Sequence, residues 1–293
     1  MAALADILDH GRVVVLSGAG LSTESGIPDY RGPSGARRRT APMTYQSFVG
    51  DPAARHRYWA RSFLGWPQMA AARPNAGHLA VARLDRAGRL ARIITQNVDG
   101  LHQAGGARQV IELHGGLDRT VCLACGDRRA RADVDRELRA LNPRFSTAIE
   151  QVNPDGDVDI ADDALDTFVM ISCPACGTGP MKPDVVFFGE TVPRERVDAC
   201  FAALDAADAL VVLGSSLKVM SGYRFVLHAA RLGIPIAIVN QGETRGDGLA
   251  TVRVDSPLGA VLSALADRVC PTSPDVEWQT QAATGCAGIA PGR

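Results

Sequence analysis

Apolar residues in this chain fall into short unbroken runs separated by longer segments of helical period. The runs Arg12 to Ser17, Arg92 to Thr95, Gln109 to Leu113, Asp184 to Phe188, Ala209 to Gly214, Ile234 to Asn240 and Thr251 to Val254 are rich in β-branched residues, and several are continuous rather than alternating. Continuous apolar strands are those buried on both faces, as in a parallel sheet covered by helices. Ala2 to His10, Asn75 to Ala87, Arg194 to Ala207, Gly222 to Arg231 and Pro257 to Val269 read as the helices between them. Strands alternating with helices predict an α/β fold with a doubly wound parallel sheet and ligands at the carboxyl ends of its strands.

Two stretches break the alternation. Arg31 to Arg73 holds the basic cluster Arg37-Arg38-Arg39 and then Tyr58, Trp59, Phe63 and Trp66, which predicts a loop followed by a small helical cap. Gly115 to Pro180 carries Cys122-x2-Cys125 and Cys173-x2-Cys176, far enough apart to enclose a lobe. Each pair has the spacing that brings two thiolates to one tetrahedral Zn²⁺, and four thiolates leave the metal no open position, so the ion is structural. Pro271 to Arg293 is rich in Pro, Gly, Ser, Thr and Ala and predicts a disordered tail.

Composition narrows the function classes. With 31 basic and 32 acidic residues the formal net charge is −1, which removes a general electrostatic grip on nucleic acid or membrane. The basic patches left for nucleic acid are Arg37 to Arg39 and Arg128, Arg129 and Arg131. No apolar run approaches the ~20 residues of a membrane span, and Met1 to His10 lacks the form of a secretion signal. A reducing, cytoplasmic setting and a monomer are expected, with cysteines serving as metal ligands before disulfides. Cys200, Cys270 and Cys286 are isolated and receive no role.

Candidate chemistry gathers just beyond strand ends. Gly18-Ala19-Gly20-Leu21-Ser22-Thr23-Glu24-Ser25-Gly26-Ile27-Pro28-Asp29-Tyr30-Arg31 follows the first strand. Its glycines suit close backbone approach to a pyrophosphate, or form a plain turn. It departs from G-x-G-x-x-G, and no acidic residue ends a second strand at the right distance, which disfavours an ordinary dehydrogenase. Gln96-Asn97-Val98-Asp99-Gly100-Leu101-His102 is either a ligand-binding strand end or an Asn-Asp turn closed by glycine. His114, in Glu112-Leu113-His114-Gly115, reads as a general base or as a structural histidine. Lys182 to Glu190 is a strand with apolar residues crowding its end. Gly214-Ser215-Ser216 and Asn240-Gln241-Gly242 offer hydroxyls and amides suited to ribose or phosphate, or are strand-to-helix turns.

Taken in this order, the motifs resemble the sirtuin family of NAD-dependent protein lysine deacylases over about Val13 to Leu262. Arg57 to Gln68, Asn153 to Val158 and Ser221-Gly222-Tyr223-Arg224-Phe225 resemble class II members, including the lipoamidase-type mitochondrial enzyme and bacterial proteins. The resemblance implies a Rossmann-like NAD-binding domain over 1–30, 74–114 and 181–270, a cofactor loop and helical cap over 31–73, and a zinc lobe over 115–180. It implies NAD as co-substrate, one structural Zn²⁺, and acyl-lysine proteins as substrates. Gly18 to Arg38 would fold over NAD, with Gln96, Asn97, Val98 and Asp99 lining the nicotinamide pocket and Asn97 near the reacting ribose. His114 would be the general base at the ribose hydroxyls. Gly214 to Ser216, Asn240 to Gly242 and Leu258 would contact the adenosine half. Val186, Phe187 and Phe188 would wall the acyl-lysine tunnel, and Gly189, Glu190 and Val219 would clamp the peptide. Tyr58 and Arg61 have the Y-x-x-R spacing of sirtuins that prefer acidic acyl groups. A mono-ADP-ribosyltransferase or a lipoamidase would use the same NAD site, and a non-catalytic NAD or zinc module is a further reading.

Overall fold

The computed structural model describes residues 1–9, 11–30, 42–146, 151–153, 155–159, 165 and 167–271. Arg31, Arg38 and its neighbours, Cys286 and the tail beyond residue 271 lie outside the described residues. The described elements are α1 (Ala2–Asp9), β1 (Val13–Ser17), α2 (Tyr45–Gly50), α3 (Pro52–Ala71), α4 (Ala76–Arg86), β2 (Leu90–Thr95), α5 (Leu101–Ala104), β3 (Val110–Glu112), β4 (Gly115–Cys122), β5 (Arg128–Ala130), α6 (Arg131–Leu141), β6 (Gln151–Val152), β7 (Val158–Asp159), β8 (Met181–Val185), α7 (Arg194–Asp205), β9 (Ala209–Leu213), α8 (Met220–Leu232), β10 (Ile236–Val239), β11 (Val252–Val254) and α9 (Leu258–Val269).

The apolar runs form a parallel sheet of order β11-β10-β9-β1-β2-β3. The chain winds outward from β1 through β2 to β3, then restarts at β9 on the other side of β1. Winding therefore reverses between β1 and β9, and ligands of such sheets bind in the crevice outside the strands at that point. β1, β2, β3, β9 and β10 are apolar on both faces because each feeds two cores, whereas the edge strand β11 feeds one and leaves Arg253 exposed. Val13 and Val15 of β1 pack with Leu4, Leu8, Val81 and Leu262 of α1, α4 and α9. Val14 and Leu16 pack with Cys200, Leu204, Phe225 and Val226 of α7 and α8. No helix among the described residues is long and apolar enough to cross a membrane.

The run ending at Phe188 departs from expectation. It forms β8 over Met181–Val185 and pairs antiparallel with β4, in a second sheet of order β5-β4-β8, instead of extending the parallel sheet. The cause is local: β4 ends at Cys122, β8 begins just after Cys176, and the register sets Cys122 opposite Met181. Pairing these strands is what brings the two cysteine turns together.

The cap is a long helix, not a small one. α3 runs over 20 residues and buries Tyr58, Trp59, Ser62 and Phe63 against the second sheet, with Trp59 Nε1 donating to Met181 O at 2.8 Å. Arg131, read from sequence as part of a basic patch, is fully buried. Its guanidinium lies 4.9 Å from the Trp59 ring and 5.0 Å from the Trp66 ring, and donates to Ser62 Oγ and O at 3.0 and 3.1 Å. Arg129 is paired with Glu137 and Arg128 with Asp184, so no basic face is built here.

Because Arg131 joins α6 to α3 through two rings, Arg131→Ala should lower stability by about 3 kcal/mol. Urea unfolding checks this: the midpoint should fall at unchanged slope, and a shift no larger than that of the exposed Arg136→Ala would contradict it.

Candidate active site

At the reversal point the turns after β1 and β9 touch backbone to backbone. Gly18 N donates to Leu213 O and Gly20 N to Gly214 O, at 2.9 and 2.8 Å. A Cβ on Gly18 would lie 2.8 Å from Gly214 O, and one on Gly20 2.9 Å from the same atom. Gly214 itself has φ +61°, a region open to glycine at little cost. Beyond these turns opens a cleft of about 790 Å³.

The strand-end residues converge on it. Gly18, Ala19, Gly20, Ser22, Ile27, Asp29, Tyr30, Gln96, Asn97, Val98, Asp99, His114, Val186, Phe187, Phe188, Gly189, Glu190, Gly214, Ser215, Ser216, Val219, Asn240, Gln241 and Gly242 all line the cleft. Several expected residues do not. Thr23 donates to Gly20 O and shapes the turn, and Gly26 ends it at φ +82°. Pro28 also falls outside the lining. Leu258 is buried against the sheet because it begins the apolar stripe of α9, continued by Leu262, Leu265 and Ala266. Tyr58 packs behind the wall, its ring 5.1 Å from that of Phe187, and burial keeps its phenol protonated far above the usual range. Arg61 follows it on α3 and likewise does not line the cleft.

Polar groups at the centre are fixed by one another. Asn97 Nδ2 donates to Gly18 O at 3.1 Å and Ser22 Oγ at 3.0 Å. Ser22 Oγ donates to Asp99 Oδ2 at 2.6 Å, and Leu101 N donates to Asp99 Oδ1 at 2.9 Å. Burial raises the Asp99 carboxyl above its ordinary pKa, and those two donors oppose the rise. Gln96 Nε2 donates to Ser215 Oγ at 2.8 Å, which joins the turn after β2 to that after β9. His114 is held by Gln96 O, 2.9 Å from Nδ1, and by Ser221 Oγ, 2.8 Å from Nε2. A carbonyl only accepts, so Nδ1 carries the proton and Nε2 is the free base. Burial lowers the His114 pKa, opposed by Gln96 and aided by Arg196 and Arg224.

The wall at Val186 to Glu190 is braced from outside. Val186 N donates to His114 O at 2.8 Å and Tyr45 N to Phe188 O at 2.9 Å. The Glu190 carboxylate accepts from Phe187 N at 2.8 Å and pairs with buried Lys182 at 3.0 Å. Glu190, expected on the peptide, thus shapes the loop that carries the apolar wall. Asp155, Lys218, Ser221 and Arg224 also line the cleft. Ser221 and Arg224 stood in the sequence only as part of a family-like segment, with no signal of their own.

Below the cleft, Ser17 Oγ meets Thr95 Oγ1 at 2.9 Å and His102 Nε2 at 2.8 Å. The rings of His102 and His78 stack edge to face at 5.2 Å. Both are buried, and His78 Nε2 and His102 Nδ1 have no hydrogen-bond partner among the described residues. Burial pushes His78 down to about 4, opposed by Glu24, and His102 down to about 3, aided by His78.

In the small lobe the Sγ atoms of Cys122, Cys125, Cys173 and Cys176 all lie within 4.8 Å of one another. Cys122–Cys176 and Cys125–Cys173 are each separated by 3.7 Å. A tetrahedron with Zn–S bonds of about 2.3 Å has edges of about 3.8 Å, so the cluster fits Zn²⁺. A Cβ on Gly179 would lie 2.2 Å from Cys122 Sγ, so the thiol nest is closed by a bare backbone.

These features define a dinucleotide-type α/β cleft joined to a thiolate-closed lobe. The Sir2 family model matches residues 18–221. Over 269 residues the chain is 55% identical to NAD-dependent protein deacetylase 1 of Streptomyces coelicolor, covering 92% of this chain and 90% of that one. It is 52% identical over 256 residues to the NAD-dependent protein deacetylase of Xanthomonas campestris pv. campestris, covering 87% of each. A solved Sir2 structure with a p53 peptide and NAD+ superposes with a TM-score of 0.71 at 31% identity, covering 92% of this chain and 96% of that one. The chain belongs to the Sir2, or sirtuin, family.

Two outcomes follow from this geometry. Metal analysis should find one zinc per chain, and stripping it with a chelator, or Cys173→Ala, should expose the small lobe to proteolysis while the parallel sheet stays folded. The second concerns acid. Unfolded histidines bind protons near pH 6.5, but folded His78 and His102 do not until about 4 and 3. Between those limits the unfolded state holds more protons, so stability falls as pH falls, on the order of 2 kcal/mol per histidine by pH 5. Urea midpoints at pH 7 and 5 measure this, and His102→Gln should reduce the difference.

Proposed function

We propose that this protein is an NAD-dependent protein lysine deacylase, which moves the acyl group of an acyl-lysine to ADP-ribose and releases nicotinamide. The observation that carries the reading is a neutral His114, its Nε2 free of a proton, in the same cleft as the glycine turn at the strand reversal. The naming of relatives at 50% identity and above as NAD-dependent protein deacetylases supports it.

The cleft fits a dinucleotide. Its volume lies in the range of cofactor sites, its floor at Gly18 and Gly20 admits no Cβ, and Ser215, Ser216, Asn240 and Gln241 offer hydroxyls and amides. Bound NAD supplies a sugar carbon from which nicotinamide can leave. In this reading Asn97 and Asp99 hold the nicotinamide end, Asp99 through its carboxyl and Asn97 beside the ribose. His114 is the group on which the proton of a sugar hydroxyl ends, at Nε2, and burial favours its neutral form. Val186, Phe187 and Phe188 exclude water from the acyl chain, and the segments at Gly189 and Val219 receive the peptide as an added strand. Zinc, held by four thiolates, serves folding alone.

Within the family we assign the chain to class II, supported by Arg57 to Gln68, Asn153 to Val158 and Ser221 to Phe225. For the domains, the pairing of β8 with β4 supports extending the small lobe from 115 to about 185. A cytoplasmic setting suits thiols that must stay reduced to bind metal.

Nicotinamide release, followed with acetyl-, propionyl-, succinyl-, glutaryl-, lipoyl- and long-chain acyl-lysine peptides with and without NAD, tests the reading. An acetylated peptide should turn over only with NAD. His114→Ala should lower turnover by about 10²-fold or more, while NAD still raises its melting temperature. No release with any peptide would remove the deacylase reading, and ADP-ribosylated protein in place of O-acyl-ADP-ribose would point to the transferase. A succinyl or glutaryl activity lost in Arg61→Met would return Arg61 to the acyl pocket.

A further inference from the structure

The lone pair of His114 Nε2 is already in use. With the proton fixed on Nδ1 by Gln96 O, Nε2 has one lone pair, and Ser221 Oγ at 2.8 Å must be donating to it. A sugar hydroxyl cannot donate to that lone pair while Ser221 occupies it. The serine oxygen, in contrast, keeps acceptor capacity, and both residues line the cleft.

The chain is built to make this contact. Ser221 lies in the first turn of α8. The next residue is Gly222, where a Cβ would fall 2.3 Å from Gln96 Oε1. The absent side chain lets α8 reach the turn after β2, so one helix end meets both Gln96 and His114. The His114 backbone is held as well, its carbonyl accepting from Val186 N. The charges acting on the ring are Arg196 of α7, paired with Asp184 at 3.5 Å, and Arg224 of α8. Both are cationic, so neither competes with Ser221 as a proton acceptor.

We infer that Ser221 is a proton relay between the co-substrate and the base, an inference that rests on the deacylase reading above. The sugar hydroxyl gives its proton to Ser221 Oγ as the serine proton passes to His114 Nε2. Ser221 ends unchanged, His114 becomes imidazolium, and the electron pair of the broken O–H bond stays on the sugar oxygen for its attack on the acyl carbon. The hydroxyl then accepts from Nε2–H, so the contact persists in both protonation states.

The test compares Ser221→Ala and Ser221→Thr with wild type, using an acetyl-lysine peptide and measuring kcat, KM for NAD and melting temperature. The relay predicts that Ser221→Ala loses about 10²-fold in kcat with KM and melting temperature near wild type, and that Ser221→Thr recovers most of the loss. Wild-type kcat in Ser221→Ala overturns the relay. So does a lowered KM with faster turnover, which would make the serine a placeholder that the sugar displaces. Failure of threonine to recover activity, or a fall in melting temperature that accounts for the loss, overturns it as well. If wild type itself shows no NAD-dependent turnover, the deacylase reading fails and not only the role of Ser221.

Discussion

The closure of two backbone turns on each other, at the ends of adjacent strands β1 and β9, is the constraint on which the rest of the molecule depends. Gly18 and Gly20 approach Gly214 so closely that a single methyl at either position would meet a carbonyl oxygen. This contact sets the floor of the cleft, and it places Ser22 where it can reach Asn97 and Asp99. Asn75 Nδ2 ties α4 to that floor through Leu21 O at 2.7 Å, and the Glu24 carboxylate accepts from Gly259 N at the start of α9.

The centre of the cleft is held almost entirely by neutral or desolvated groups. Burial raises Asp99 and lowers His114 in the cleft, and lowers His102 and His78 beneath it, in each case away from the charged form. A low-dielectric setting strengthens each remaining hydrogen bond and makes each unpaired atom costly. The Lys182–Glu190 pair joins a buried ammonium behind the wall to a half-buried carboxylate at the cleft, and it braces the loop. That arrangement leaves the wall at Val186 to Phe188 apolar.

The small lobe contributes by position. The four-thiol cluster lies at one end of the β4–β8 pair, and the Trp59–Arg131–Trp66 stack lies along its flank. Residues directly following β8 then form the wall, and the residue directly preceding β4 is His114. The strands that carry the thiol cluster thus also place His114 and the wall beside each other, without the cluster touching either.

The sequence by itself determined the parallel sheet, because strands buried on both faces must be continuously apolar and helices must be amphipathic. It also determined the thiolate cluster, since the x2 spacing is a local geometric requirement, and it marked the strand-end turns as ligand-facing. Only the tertiary structure decided which strand joins which sheet: the run Val185 to Phe188 is as apolar as the others, but the strand forms earlier, over Met181–Val185, and pairs with β4 beside the cysteine turns. It removed Leu258, Tyr58 and Arg61 from the cleft lining, because a helical residue's direction depends on which face its helix buries. It buried Arg131, which charge alone had assigned to a surface patch. Ser221 was invisible as a functional residue because a hydroxyl acquires its role from the atom it meets, and its partner His114 lies 107 positions away along the chain.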